Sequence, residues 1–335
     1  MPALDFQFRD GGILFPHLGL WLDPHAPKRE LVFVSHAHSD HIARHREVIL
    51  TEPTARLMTA RLGGRRTEHI LPFGEGREFS GSDGVPFRIT LLPAGHILGS
   101  AMSLVECEGE SVLYTGDFKL RPGLAAEVCQ PRTADTLIME TTFGRPQYRF
   151  PDSRDVMRDV ICFCKETLRA DATPVLHAYS LGKSQELLCG LSGAGLPVVL
   201  HDATHKMTRI YEQFGHRFVP YEKHEPGTGQ GKVVITPPTT ARSEALLALG
   251  PVRRAMITGW AIEPGCKFRY QCDAAFPLSD HADFPDLIDF VQQVQPQRVF
   301  TLHGFAADFA GTLRGLGFDA RALGMVEQLE LTLKA

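Results

Sequence analysis

Apolar and polar positions fall into two rhythms along this chain. Up to about residue 145, short runs rich in Val, Ile, Leu and Phe recur between turn-forming residues, which is a strand signature. They predict strands over 12–23, 31–34, 48–51, 87–92, 102–106, 112–115 and 136–139, with Gly109-Glu110 suggesting a hairpin between two of them. One stretch carrying Leu57, Met58 and Leu62 has helical spacing and stops at Gly63-Gly64. From about residue 152 helices and strands alternate. Helical periodicity over 152–168, with Asp152 or Ser153 as cap, is followed by strand 174–177, helix 184–191, strand 198–201 and helix 207–214. Strand 233–236, helix 243–249 and strand 255–259 continue the series. That alternation predicts a small parallel sheet flanked by helices. Strand 275–278, a helix with Leu287, Ile288, Val291 and Val294 on one face, strand 299–302 and a helix from Ala306 complete the chain.

Composition narrows the class. The 335 residues exceed one typical domain, so one elaborated domain or two intimate ones are expected. No apolar run reaches eighteen residues, and Met1 to Phe6 lacks the basic and apolar regions of a secretory leader. Seven cysteines, odd in number and without a C-x-x-C pair, read as reduced thiols of a cytoplasmic protein. A net charge of −4 gives no overall electrostatic grip on nucleic acid. Local basic stretches exist, notably the four arginines between Arg56 and Arg66.

The chemistry is concentrated in residues 35–45. There His36, His38, Asp40 and His41 form an H-x-H-x-D-H cluster just past the apolar run Leu31-Val32-Phe33-Val34. Imidazole and carboxylate ligands suit zinc, and also manganese or iron. Histidines clustered at a buried strand end lose hydration unless a metal or carboxylate meets them. Three more residues of ligand type stand at strand ends beside glycine: His96 in Ala94-Gly95-His96, Asp117 in Thr115-Gly116-Asp117, and His303 in Leu302-His303-Gly304. The run Tyr179-Ser180-Leu181-Gly182-Lys183-Ser184-Gln185 places hydroxyls, an ammonium and free amides at a helix start. Ser180, Lys183 and Ser184 are therefore candidates for binding phosphate, with an ordinary capped helix as the alternative.

The ordered set Asp23, His36/His38/Asp40/His41, His96 and Asp117 resembles the metallo-β-lactamase fold. Glu140 in Met139-Glu140-Thr141-Thr142-Phe143-Gly144, His281 in Ser279-Asp280-His281-Ala282-Asp283, and His303 resemble the three extra motifs of its β-CASP nucleases. The resemblance implies an α/β protein: a metallo-β-lactamase αββα sandwich over 1–150 and 251–335, with a β-CASP α/β domain inserted over 151–250. The runs 142–151, 179–185 and 278–284 are similar to signatures of the bacterial DNA ligase-associated exonucleases.

Carried onto this sequence, the resemblance implies two divalent ions, zinc as first choice and manganese as an alternative activator. One ion takes His36, His38 and His96, the other Asp40, His41 and His303, with Asp117 bridging them about 3.5–4 Å apart. His281 becomes the general acid, Glu140 orients it, and Asp23 supports the histidines from behind. The implied function is a DNA exonuclease in repair end-processing, with functional association to a DNA ligase and no membrane role. Histidine at position 303 is commoner among RNA-cleaving members, which keeps an RNA exo- or endonuclease as the alternative. A β-lactamase, thiolesterase or lactonase ranks below both, because those enzymes lack the long insert and the Glu140/His281 pair. A scaffold with a decayed site is disfavoured by the seven intact ligand positions.

Overall fold

The computed structural model describes residues 4–225, 228–238 and 249–324. The helix expected over 243–249 lies outside them except for Leu249. The first sheet runs in chain order: β1 (Gln7–Arg9), β2 (Gly12–Phe15), β3 (Leu20–Leu22), β4 (Leu31–Phe33), β5 (Glu47–Leu50) and β6 (Thr67–Ile70). The second begins with β7 (Gly76–Ser80), β8 (Pro86–Pro93), β9 (Ala101–Cys107), β10 (Glu110–Tyr114) and β11 (Thr136–Glu140). Two late strands, β18 (Arg298–Leu302) and β19 (Asp319–Ala322), then add in parallel beyond β11.

These two sheets pack face to face, and strand alternation sorts their side chains between two interfaces. Phe33 and Ile49 of the first sheet meet Ile89, Val105, Tyr114 and Ile138 of the second. Their neighbours Val32, Val48 and Leu50 point the other way, under helix α1 (Glu52–Leu62). Leu113, Leu137 and Met139 likewise turn outward, beneath the helices Phe284–Val294 and Ala306–Gly315. Helix, sheet, sheet and helix therefore stack in four layers. Burial on both faces is why these strands read as continuous apolar runs rather than alternating ones.

The third sheet is wholly parallel among its described pairings: β14 (Tyr221–Lys223), β13 (Val198–Leu200), β15 (Val233–Thr236), β12 (Thr173–His177), β16 (Val252–Ile257) and β17 (Ala274–Phe276). Helices α2 (Ser153–Arg169) and α3 (Lys183–Gly190) pack against it. Helix α4 (Asp202–Gln213) instead sends Met207, Ile210 and Tyr211 to the layer that covers the first sheet. The boundary expected at residue 250 thus falls inside this sheet, because β16 pairs with β12 and β17 with β16.

Local differences have local causes. The single strand expected over 12–23 is a hairpin, folded at Pro16–Gly19 by a Gly19 N–H to Pro16 carbonyl bond. The second hairpin turns on Glu108-Gly109, one residue earlier than expected, with both residues at positive φ as a two-residue loop requires. Strands β6 and β7 carry no apolar signal, since their side chains are mostly exposed.

Candidate metal centre

Strand ends bring the chemistry together. His36 and His38 follow β4, His96 follows β8, Asp117 follows β10, Glu140 ends β11, and His303 follows β18. His303 and Gly304 both adopt positive φ, and a Cβ on Gly304 would lie 2.5 Å from the Thr141 carbonyl oxygen. Only glycine lets the β18 turn pass so close to the loop after Glu140.

Three imidazoles and a carboxylate converge. One ligand-type atom from each of His36, His38, His96 and Asp117 lies within 4.8 Å of the other three. His38 Nδ1 is 3.1 Å from His36 Nε2 and 3.0 Å from His96 Nε2. Asp117 Oδ2 is 3.5 Å from both His36 Nε2 and His41 Nε2.

The outward nitrogens decide what the inward ones carry. His96 Nδ1 meets the Asp280 carbonyl at 2.8 Å, and His38 Nε2 meets the Leu181 carbonyl at 3.2 Å. Carbonyls only accept, so each ring carries its proton there. Ser35 Oγ donates to Asp23, which leaves it to accept from His36 Nδ1 at 2.9 Å. Asp23 Oδ2 accepts from His41 Nδ1 at 2.9 Å and from the Tyr114 hydroxyl at 3.1 Å. In the neutral rings, bare lone pairs then face one another at the centre. Such an arrangement repels itself unless a cation lies among them, so the donor set fits a divalent metal ion.

Charge tells the same story. Burial and neighbouring imidazolium charge hold His36 well below its ordinary pKa, and burial with His281 lowers His96 to about 4. His41 goes the other way: burial opposes its charge, but Asp117 and Asp23 outweigh burial and raise it well above the ordinary value. Without an ion His41 is therefore protonated, and a cation replaces that proton. Titrating zinc into ion-free protein should release a proton, measured calorimetrically in buffers of different ionisation heat. Identical heats in all buffers would contradict this protonation state.

The residues expected around a second ion are more loosely set. Asp40 is 68% exposed in its side chain, with Oδ2 at 3.9 Å from His41 Nε2. The His303 ring centroid lies 6.1 Å from that of His41. With His38, Asp117 and His281, these three line an open cavity of about 600 Å³.

His281 stands beside the cluster, its ring centroid 4.6 Å from that of His96. Its Nδ1 meets Glu140 Oε1 at 2.8 Å. Glu140 is itself fixed by the backbone N–H groups of Phe118 and Thr142, both at 3.1 Å. Burial pulls the His281 pKa down, but Glu140 and then Asp117 lift it to about 9.

Two of the three residues expected at phosphate are engaged elsewhere. Lys183 is 2% exposed and its Nζ lies 2.7 Å from Asp280 Oδ1. Ser184 Oγ donates to the Tyr179 carbonyl at 2.7 Å. The start of α3 is a buried joint: Glu186 accepts from the N–H groups of Leu124 and Ala125, and a Cβ on Gly182 would strike Ile97 at 2.3 Å. Only Ser180 lines the cavity. Lys183 holds the loop that carries His281, and Lys183→Met should cost about 3–5 kcal/mol by removing the hydrogen-bonded cation of Asp280, leaving it only His281 Nε2 at 3.9 Å. Urea unfolding of the variant checks this, and an unchanged midpoint would refute it.

Sequence reasoning passed over Ser35 and Tyr114, although Ser35 adjoins the histidine motif. It also missed the carbonyls of Leu181 and Asp280, for which no signal exists, since any residue supplies a carbonyl.

A family model described as a Zn-dependent metallo-hydrolase RNA specificity domain matches residues 272–322. The chain is 55% identical over 326 residues to a probable DNA ligase of Opitutus terrae, covering 97% of this chain but 32% of that protein. It is 28% identical over 328 residues to the 5′ exonuclease Apollo of Gallus gallus, covering 94% of this chain and 68% of Apollo. A crystal structure of an Enterococcus faecalis V583 protein of unknown function shares the fold, with a TM-score of 0.56 and 13% identity over 83% of this chain and 76% of that one.

Proposed function

Because this chain belongs to the β-CASP nucleases of the metallo-β-lactamase fold, we propose that it is a metal-dependent DNA exonuclease that trims ends in repair. The observation that carries this reading is His281, an imidazolium paired with Glu140 beside the metal-ligand cluster. A generic metallohydrolase needs the cluster alone. Breaking a phosphodiester expels a strongly basic alkoxide, which needs an acid beside it.

His36, His38, His96 and Asp117 would hold one divalent ion, and Asp117, Asp40, His41 and His303 a second. When bound, zinc or manganese supplies Lewis acidity toward the phosphoryl oxygens and lowers the pKa of an attacking water. His281 Nε2 delivers its proton to the leaving sugar oxygen, while Glu140 keeps the ring charged and aimed. Asp23, fixed by Ser35 and Tyr114, orients His41. The cavity of about 600 Å³ gives a strand end access to these groups.

We assign the third sheet and its helices to the inserted domain, which shifts its far boundary to about residue 276. Functional association with a DNA ligase is supported by the 55% identity to a protein described as one. A cytoplasmic setting accords with seven free cysteines, and no helix among the described residues is long and apolar enough to cross a membrane.

The test is incubation with zinc or manganese and end-labelled single-stranded DNA and RNA of matched sequence. DNA should be shortened progressively from an end, and a chelator should abolish the reaction. Faster turnover of RNA would instead favour the RNA-cleaving alternative, to which the matched family model lends support.

A further inference from the structure

Carboxylates flank His281 on its loop, Asp280 directly before it and Asp283 shortly after. Lys183 holds the first of them. The second, Asp283, is 1% exposed. Its Oδ1 accepts the Asp286 N–H at 3.1 Å, which caps the helix Phe284–Val294. Its Oδ2 accepts the Phe150 N–H at 2.8 Å and a further bond from Arg121 Nη2. Arg121 also donates from Nε to Asp286 Oδ2 at 2.8 Å and from Nη1 to the Phe150 carbonyl at 3.2 Å. One guanidinium thus bridges two carboxylates at the start of a helix, which suits its planar fork of donors.

Without that cation the two carboxylates oppose each other. Burial first, and the Asp283 charge with it, push the Asp286 carboxyl up, while Arg121 pulls it down. Among the described residues no other cation is ion-paired with either carboxylate. Arg121 also belongs to the segment that begins at Asp117 of the metal cluster. Within that segment the Phe118 N–H donates to Glu140 Oε1 at 3.1 Å, and the Phe118 carbonyl accepts from the Ala282 N–H at 2.8 Å. Residues 117–121 therefore run as a strut from the metal cluster to the loop of the acid. One backbone bond ties its near end to that loop, and Arg121 ties its far end. A general acid depends on this separation, because its proton must reach the leaving oxygen as the phosphodiester breaks. A displacement of about 1 Å can cost on the order of a hundredfold in rate.

Taking the nuclease reading above as its premise, we propose that Arg121 is a positioning residue for the general acid: by bridging Asp283 and Asp286 it fixes His281 relative to Asp117. Asp117 keeps its contacts to His36 and His41 without Arg121, since those run through its own carboxylate. The rival role is a direct grip on substrate, because Arg121 and His281 both line a second cavity of about 480 Å³.

Steady-state kinetics of Arg121→Met on single-stranded DNA and on bis(p-nitrophenyl) phosphate, beside elemental analysis, separate these roles. On DNA, kcat should fall about 10–100-fold with KM within about twofold of the wild type. On the aryl diester, whose phenolate leaves with little protonation, the loss should stay within about threefold. Metal content should match that of the wild type. Arg121→Lys restores a point charge but not the bridge, so its kcat on DNA should fall between the two. Should Arg121→Met fail to fold, Asp283→Asn supplies the same test. Its carbonyl oxygen still caps the helix, while its amide N–H groups face Arg121, and the same selective loss is expected. Equal losses on both substrates overturn the positioning role. A raised KM on DNA with kcat unchanged also overturns it, since Arg121 would then hold the substrate itself. Wild-type protein that hydrolyses the aryl diester but no nucleic acid overturns the nuclease reading as well.

Discussion

His281→Ala is expected to lower turnover on DNA by about 10²–10⁴-fold while metal content stays near that of the wild type. The imidazole is bound to Glu140 through Nδ1, so the proton it can transfer is on Nε2, which lies 3.9 Å from Asp280 Oδ1. The loss should shrink on an aryl phosphodiester, whose phenolate leaves with little protonation. The sign of the pH dependence follows from the charges. In the ion-free protein, Glu140 and then Asp117 outweigh burial and raise His281 to about 9; cations on Asp117 lower that value, and activity that needs the proton falls as pH climbs past it. Glu140→Gln removes the foremost charge holding the proton, so the falling limb should move to lower pH. Equal losses on DNA and the aryl diester, or loss of metal in His281→Ala, would mean that His281 is not the acid.

Asp117→Ala should be more damaging to the metal centre than His303→Ala. Asp117 Oδ2 stands within 3.5–3.8 Å of a nitrogen from each of His36, His41 and His96, so its loss removes the one carboxylate common to the whole group. His303 lies at the rim, its ring 6.1 Å from that of His41, and His36, His38, His96 and Asp117 remain together without it. Elemental analysis of the two purified variants should find Asp117→Ala almost empty and His303→Ala retaining about one ion per chain. Equal depletion in both would argue against this division of ligands. The difference should also appear in stability, because ion-free Asp117→Ala strips His41 of a carboxylate that keeps it charged.

Much of this architecture was legible from residue pattern. The runs 31–34, 87–92, 112–115 and 136–139 became strands because their apolar side chains are buried on both faces. The H-x-H-x-D-H spacing at the end of β4 marked the metal cluster, because neighbouring imidazoles at a strand end are costly without a cation. Glu140 and His281 were legible only through their resemblance to a family, being 141 positions apart and unrelated by any local period.

The chain alone determined which groups are available and which strand end presents each one. Only the tertiary structure decided where each group is spent. Lys183 and Ser184 looked suited to phosphate from local sequence, but α3 starts against the segment Lys119–Ala125, and that packing turns the ammonium onto Asp280. The same burial makes exposed Tyr179, two residues past β12, more available to a ligand than the lysine beside it. Sequence spacing sets local conformation, whereas long-range packing sets which side chain is desolvated. Desolvation then decides whether a charge is consumed by a neighbour inside the fold or left free for a substrate.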